Sequence, residues 1–150
     1  MIYITIDDPY VSAIPSERIE QAANAALAHQ QAAPDSDLSV VFTGDAEVQE
    51  LNRQYLDHDA PTDVLSFPAG EIDPENGRLY LGDILISVPQ ATRQAESGGH
   101  SLLEEVEVLV VHGVLHLLGH DHAEEEEKAR MWQAQKEILA GQNNRLADTF

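Results

Sequence analysis

The segment SLLEEVEVLVVHGVLHLLGHDH, residues 101–122, constrains this chain more than any other stretch. From Ser101 to Leu118 apolar residues recur at helical spacing. Leu103, Val106, Leu109, Val110 and Val114 share one face, and Gly119 ends the pattern. A helix this apolar belongs against a core. Its last turns nevertheless hold His112 and His116, which are four residues apart and therefore lie one turn above each other on a single face. Gly119 lets the chain turn back, and His122 follows three residues later. Three imidazoles at the edge of a core are costly unless something binds them. Three histidine nitrogens with an open fourth position form the ligand set of a catalytic ion rather than a structural one. His112, His116 and His122 are therefore the expected ligands of one divalent metal ion. Zinc is favoured, although three imidazoles also suit nickel and copper. His120 is expected to face solvent in the turn. Asp121 is expected either to orient a ligand imidazole from behind or to cap the next helix.

The remaining chain reads as short alternating elements. Met1 to Asp7 alternates like a strand, and an alanine-rich helix runs from an expected Ser16 cap to about Gln31. Leu38 to Thr43 is a second strand, followed by a helix capped by Asp45 and ending near Tyr55. Thr62 to Phe67 reads as a short strand between two prolines, AGEIDPENGR as a loop, and Arg78 to Ser87 as a central strand. Helices are expected from Pro89 to Ser97 and from Ala123 to Ala140. No repeat and no long linker interrupts the 150 residues. The expectation is one α+β domain over residues 1–150, with a small mixed sheet of about four strands packed with about five helices. The metal site would sit on the long helix.

Composition removes several classes of function. With no cysteine, disulfides, thiolate metal sites and a cysteine nucleophile are excluded. No apolar run reaches the roughly 18 residues of a membrane span, and MIYITIDDPY lacks a secretory pattern, so a cytoplasmic location is expected and a membrane partner is not. Eight basic residues face 27 acidic ones, a net charge of -19. Such a field repels polyanions and by itself argues against RNA or DNA as a partner.

The spacing of His112, His116, Gly119 and His122 matches the metzincin protease string H-E-x-x-H-x-x-G-x-x-H, but the glutamate slot holds Gly113. Glycine takes no proton, so peptidase chemistry by that route is disfavoured. The string H-G-x-L-H-L-x-G-x-D-H instead resembles the signature of the YbeY family of bacterial metal-dependent endoribonucleases. PTDVLSFP (Pro61 to Pro68) and LGDILIS (Leu81 to Ser87) resemble that family's second and third signatures. The resemblance implies a hydrolase that binds one metal ion through His112, His116 and His122. It implies action on ribosomal RNA, notably at the small-subunit 3′ end and in ribosome quality control, with the ribosome or a ribosomal protein as partner. DNA is not expected.

One departure stands out. Many members of that family carry an arginine after the tyrosine of an L-N-x-x-Y segment, where this chain has Leu56 after Tyr55. His58 is the candidate to take over part of that task, since histidine titrates near neutrality. Ser66 is a second catalytic candidate. Asp63 and Asp83 are expected to serve mainly in strand and turn hydrogen bonding. Some of Arg53, Arg78 and Arg93 are expected to line the cleft. Two alternatives stay open: a metal hydrolase of another substrate, and a non-enzymatic, ribosome-associated metal-binding module.

Overall fold

The computed structural model describes residues 1–149. Its four strands are β1 (Ile2–Ile6), β2 (Ser36–Thr43), β3 (Val64–Ile72) and β4 (Leu79–Ser87). They form one mixed sheet in the order β1-β2-β4-β3. β1 runs parallel to β2 and β2 to β4, whereas β3 and β4 form an antiparallel hairpin. The helices are α1 (Ser16–His29), α2 (Asp45–Leu56), α3 (Val88–Gly98), α4 (Leu102–Leu117) and α5 (Glu125–Gly141). This is the expected α+β class with a four-stranded mixed sheet and five α-helices.

Strand alternation divides the apolar residues between two faces. Val40, Phe42, Ile84 and Ile86 join the main core, together with Ile19 of α1, Val110 and Val114 of α4, and Met131 and Leu139 of α5. Val41, Leu65 and Leu85 point the other way and pack with Val48 and Leu51 of α2. α4 lies at the centre of the larger layer, against α1, α3, α5, β3 and β4. Its start is secured by a reciprocal cap: Ser101 Oγ accepts from the Glu104 N–H at 3.1 Å, and Glu104 Oε1 accepts from the Ser101 N–H at 3.1 Å.

Three local expectations are corrected. β3 continues through Pro68 to Ile72 instead of ending at Phe67. As an edge strand it pairs on one side only, so a proline without an N–H is tolerated, and a register shift between Pro68 and Glu71 absorbs it. Ser16 is the first helical residue of α1, with Pro15 in the cap position. Asp45 begins α2 after Gly44 and does not cap it; its carboxylate accepts from Ser87 Oγ at 2.6 Å and from Arg93 at 2.7 Å.

Two glutamates of α4 leave the solvated shell that the charge count leads one to expect. Glu107 is 1% exposed and is held by Asn144 Nδ2 at 3.3 Å and Arg18 at 3.5 Å, and burial pushes its carboxyl upward from the usual carboxylate range. Glu105 accepts from Gln94 at 3.2 Å and lies 2.7 Å from His100 Nε2. No helix among the described residues is long and apolar enough to cross a membrane.

Candidate metal centre

α4 presents His112 and His116 from successive turns of its C-terminal half. Gly119 then adopts φ +98°, a left-handed conformation that residues with a Cβ rarely reach, and reverses the chain. That reversal brings His122 back over the helix. The imidazole centroids lie 4.5 Å (His112–His116), 5.3 Å (His116–His122) and 5.8 Å (His112–His122) apart. One ligand atom from each of the three falls within 4.8 Å of the others. The Nε2 atoms of His112 and His116 are 3.0 Å apart. Two nitrogens bound to one tetrahedral zinc are about 3.3 Å apart, so this spacing fits a shared ion.

The protonation states fit as well. Burial lowers the pKa of His112 and of His116, which keeps both imidazoles in the neutral form that binds metal. On His112 the acceptor behind the ring decides the tautomer. Gln135 of α5 is 1% exposed, and its Oε1 lies 2.7 Å from His112 Nδ1. An amide oxygen only accepts, so Nδ1 carries the proton and the Nε2 lone pair faces the cluster. Trp132, one turn earlier on α5, closes the other side at 6.2 Å from His112 and 6.1 Å from His122 between ring centroids. In the sequence Gln135 looks like one more residue of the apolar stripe of α5. A buried amide within such a stripe was the available signal. Gln135→Leu keeps the volume and removes the acceptor. Metal affinity is expected to fall about 10- to 100-fold in a chelator-competition titration. An unchanged affinity would mean that His112 needs no partner on α5.

The histidines open into a cleft of about 350 Å³ lined by Leu56, Thr62, Asp63, Val64, Leu65, Ser66 and Pro68. Ser66 is therefore at the site. Asp63 is there too, and it also performs the expected structural task. Its Oδ1 accepts from the Val64 N–H at 2.8 Å, its Oδ2 accepts from Gln94 at 3.3 Å, and its carbonyl accepts from the Ser87 N–H at 2.9 Å. His58 is not brought in. It lies exposed on the loop after α2, and Leu56 is the residue that faces the cleft. Asp121 Oδ1 accepts from the backbone N–H of His122 at 2.7 Å, so it shapes the turn that carries this imidazole. It does not cap α5, which starts after Glu124. His120 turns away from the cluster, with Nε2 at 2.6 Å from Gln30 Oε1 on the segment after α1. Asp83 accepts from the Tyr80 hydroxyl within β4.

The expectation that arginines line the cleft is not met. Arg53 pairs with Glu50 on the exposed side of α2. Arg93 pairs with Asp45 at 2.7 Å. Arg78 clasps Asp37 through Nε and a terminal nitrogen. That clasp, with the N-terminal ammonium at 2.8 Å, holds the Asp37 carboxyl well below the usual carboxylate range. In a chain with 27 acids and eight bases, each of these cations meets a carboxylate before it reaches the site.

Gly113 has a second reason to be glycine. It faces β4, and a Cβ built there would stand 2.8 Å from Cγ2 of Ile84, which is fully buried. The absent side chain is what lets the histidine-bearing helix lie close against the sheet. The slot is therefore too narrow for a glutamate as well as lacking one.

The chain spans most of several known proteins. The family model described as Endoribonuclease YbeY matches residues 6–143. An Endoribonuclease YbeY from Pelotomaculum thermopropionicum is 46% identical over 128 residues, covering 83% of this chain and 84% of that protein. One from Thermobifida fusca is 38% identical over 152 aligned positions, covering 97% and 98%. One from Halalkalibacterium halodurans is 47% identical over 111 residues, covering 69% and 70%. The solution structure of a Thermotoga maritima protein shares the fold, with a TM-score of 0.60 at 24% identity over 99% of this chain and 95% of that one. With three imidazoles gathered at the end of a glycine-bearing helix and relatives of this likeness over most of its length, the chain belongs to the endoribonuclease YbeY family, whose members are nucleases.

Proposed function

We propose that this protein is a metal-dependent endoribonuclease of ribosomal RNA, acting as a single domain on single-stranded segments such as the 3′ end of the small-subunit RNA. The observation that carries the reading is the convergence of His112, His116 and His122 in an open cleft. We assign these three as the ligands of one divalent ion, zinc by the all-imidazole donor set. A bound divalent ion supplies Lewis acidity to the hydrolysis of a phosphodiester. The protein's own groups supply the rest. Gln135 holds His112 in its ligand tautomer, and Asp121 holds the turn of His122. Asp63 is the one carboxylate among the residues lining the cleft and Ser66 carries a hydroxyl beside it, so these two are the groups placed to take up a proton and to hold the RNA. Leu56 and Val64 narrow the cleft with apolar walls. The protein works in the cytoplasm, and the ribosome or a ribosomal protein presents the RNA to a chain whose net charge of -19 attracts no polyanion unaided.

The test is cleavage of an RNA fragment spanning the small-subunit 3′ end by protein reconstituted with zinc, beside the same protein stripped by a chelator. Cleavage that needs the ion supports the reading. One bound ion per chain with intact RNA, both for the fragment and within assembled small subunits, would instead favour a non-enzymatic metal-binding module.

A further inference from the structure

We propose that the depression on the outer face of the sheet, between α2 and β3, is a subsite for an unpaired nucleobase of the RNA whose backbone lies at the histidines. The inference rests on the endoribonuclease reading and deepens it. The depression measures about 420 Å³ and is lined by Val41, Leu51, Tyr55, Phe67, Asp83 and Leu85. Tyr55 and Phe67 meet edge to face, with centroids 5.7 Å apart and rings inclined at 68°. Tyr55 keeps 67% of its surface exposed, an unusual state for a large ring in a chain that is only 5% aromatic.

Position links this depression to the metal cleft. Tyr55 lines the one and the next residue, Leu56, lines the other. On β3, Phe67 lines the depression while its neighbours Ser66 and Pro68 line the cleft. β3 is the edge strand of the sheet, so a single strand of RNA crossing its free edge reaches both sides.

Charge decides which part of the RNA enters. Among the described residues no cation lines either depression, and Arg53, Arg78 and Arg93 are each bound to carboxylates. A phosphate in the outer depression would meet Asp83 with nothing to offset it. A base meets two aromatic rings and an apolar floor, and it can donate a ring or amino N–H to Asp83. Tyr80 occupies Asp83 Oδ1, while Oδ2 has no bond among the described residues. Stacking of bases on aromatic side chains tolerates any sequence and needs no cation, which suits a chain this acidic.

The experiment compares metal-free wild type, Tyr55→Ala and Tyr55→Trp by fluorescence anisotropy. The two probes are a labelled unstructured RNA oligonucleotide and the same chain with abasic positions. Tyr55→Ala is expected to bind the RNA about tenfold more weakly, equivalent to ~1.4 kcal/mol, while Tyr55→Trp retains binding. The abasic chain should bind wild type more weakly than the RNA does, and should not distinguish wild type from Tyr55→Ala. Equal binding of the RNA by wild type and Tyr55→Ala overturns the subsite. So does an abasic penalty of the same size in both proteins. Zinc-loaded wild type run in parallel separates the two readings. If it cleaves RNA while Tyr55→Ala binds undiminished, the subsite falls and the nuclease stands. If it neither binds nor cleaves the oligonucleotide, the subsite falls, and the nuclease reading falls with it only when the RNA of assembled small subunits stays intact as well.

Discussion

Replacing His116 with alanine is expected to lower RNA cleavage by roughly 1,000-fold or more. A metal ion contributes several kcal/mol of charge stabilisation in a phosphoryl transition state, and ~4 kcal/mol corresponds to about three orders of magnitude in rate. His116 is the central imidazole of the cluster: its ring is the near neighbour of both His112 and His122. Two imidazoles remain in the variant, but they belong to different segments and no longer enclose one point. The same substitution should abolish metal-linked stabilisation. At a free ion concentration a hundredfold above its Kd, wild type gains about 2.7 kcal/mol. For a chain of this size that raises the melting temperature by roughly 5–10 °C. A thermal melt with and without zinc reads this gain directly, independently of activity. His116→Ala should show little of it, whereas its metal-free melt should stay near that of wild type because His116 is only half-buried. A variant that still cuts RNA at the wild-type rate would sink the metal assignment.

Installing the glutamate that a metzincin carries is expected to unfold the helix rather than create a peptidase. Gly113→Glu places a Cβ 2.8 Å from Ile84 Cγ2 and 3.0 Å from its Cδ1. Ile84 cannot step aside easily. It is β-branched, fully buried and held in the central strand β4. Overpacking of this kind costs about 1–3 kcal/mol, and a carboxyl forced between helix and sheet without a partner adds at least a similar amount. The sum is on the order of 4 kcal/mol, a large part of the total stability of a small domain. Chemical denaturation should show the midpoint collapsing, while Gly113→Ala suffers only the overpacking cost. A well-folded Gly113→Glu protein that hydrolyses casein would refute this account of the slot.

Most of the secondary structure and the gathering of His112, His116 and His122 were legible from spacing alone. The apolar face expected on α4 is buried at Val106, Leu109, Val110 and Val114 as its period requires, while Leu103 at its start is half-buried. The ends of elements were less legible. β3 outran its expected length because edge position, which no local pattern records, is what makes Pro68 acceptable. His58 looked suitable by residue type, but it lies exposed after the left-handed Asp57 that ends α2, and Leu56 is the residue that lines the cleft. The arginines looked available because a sequence displays charges without their partners.

What the sequence determined by itself is therefore whatever depends on neighbours within a turn or two. That covers the apolar faces, the four-residue interval that stacks His112 on His116, the glycine that returns His122, and the absence of a base at position 113. The tertiary structure alone decided what depends on groups far apart in the chain. Gln135 reaches His112 across 23 residues. Asp37 captures Arg78 across 41. Ile84 makes Gly113 a packing requirement as well as a chemical absence. Helical periodicity is a property of the local backbone and can be read along a string. Which side chain meets which across a core is set by the packing of whole elements, and no interval in the sequence encodes it.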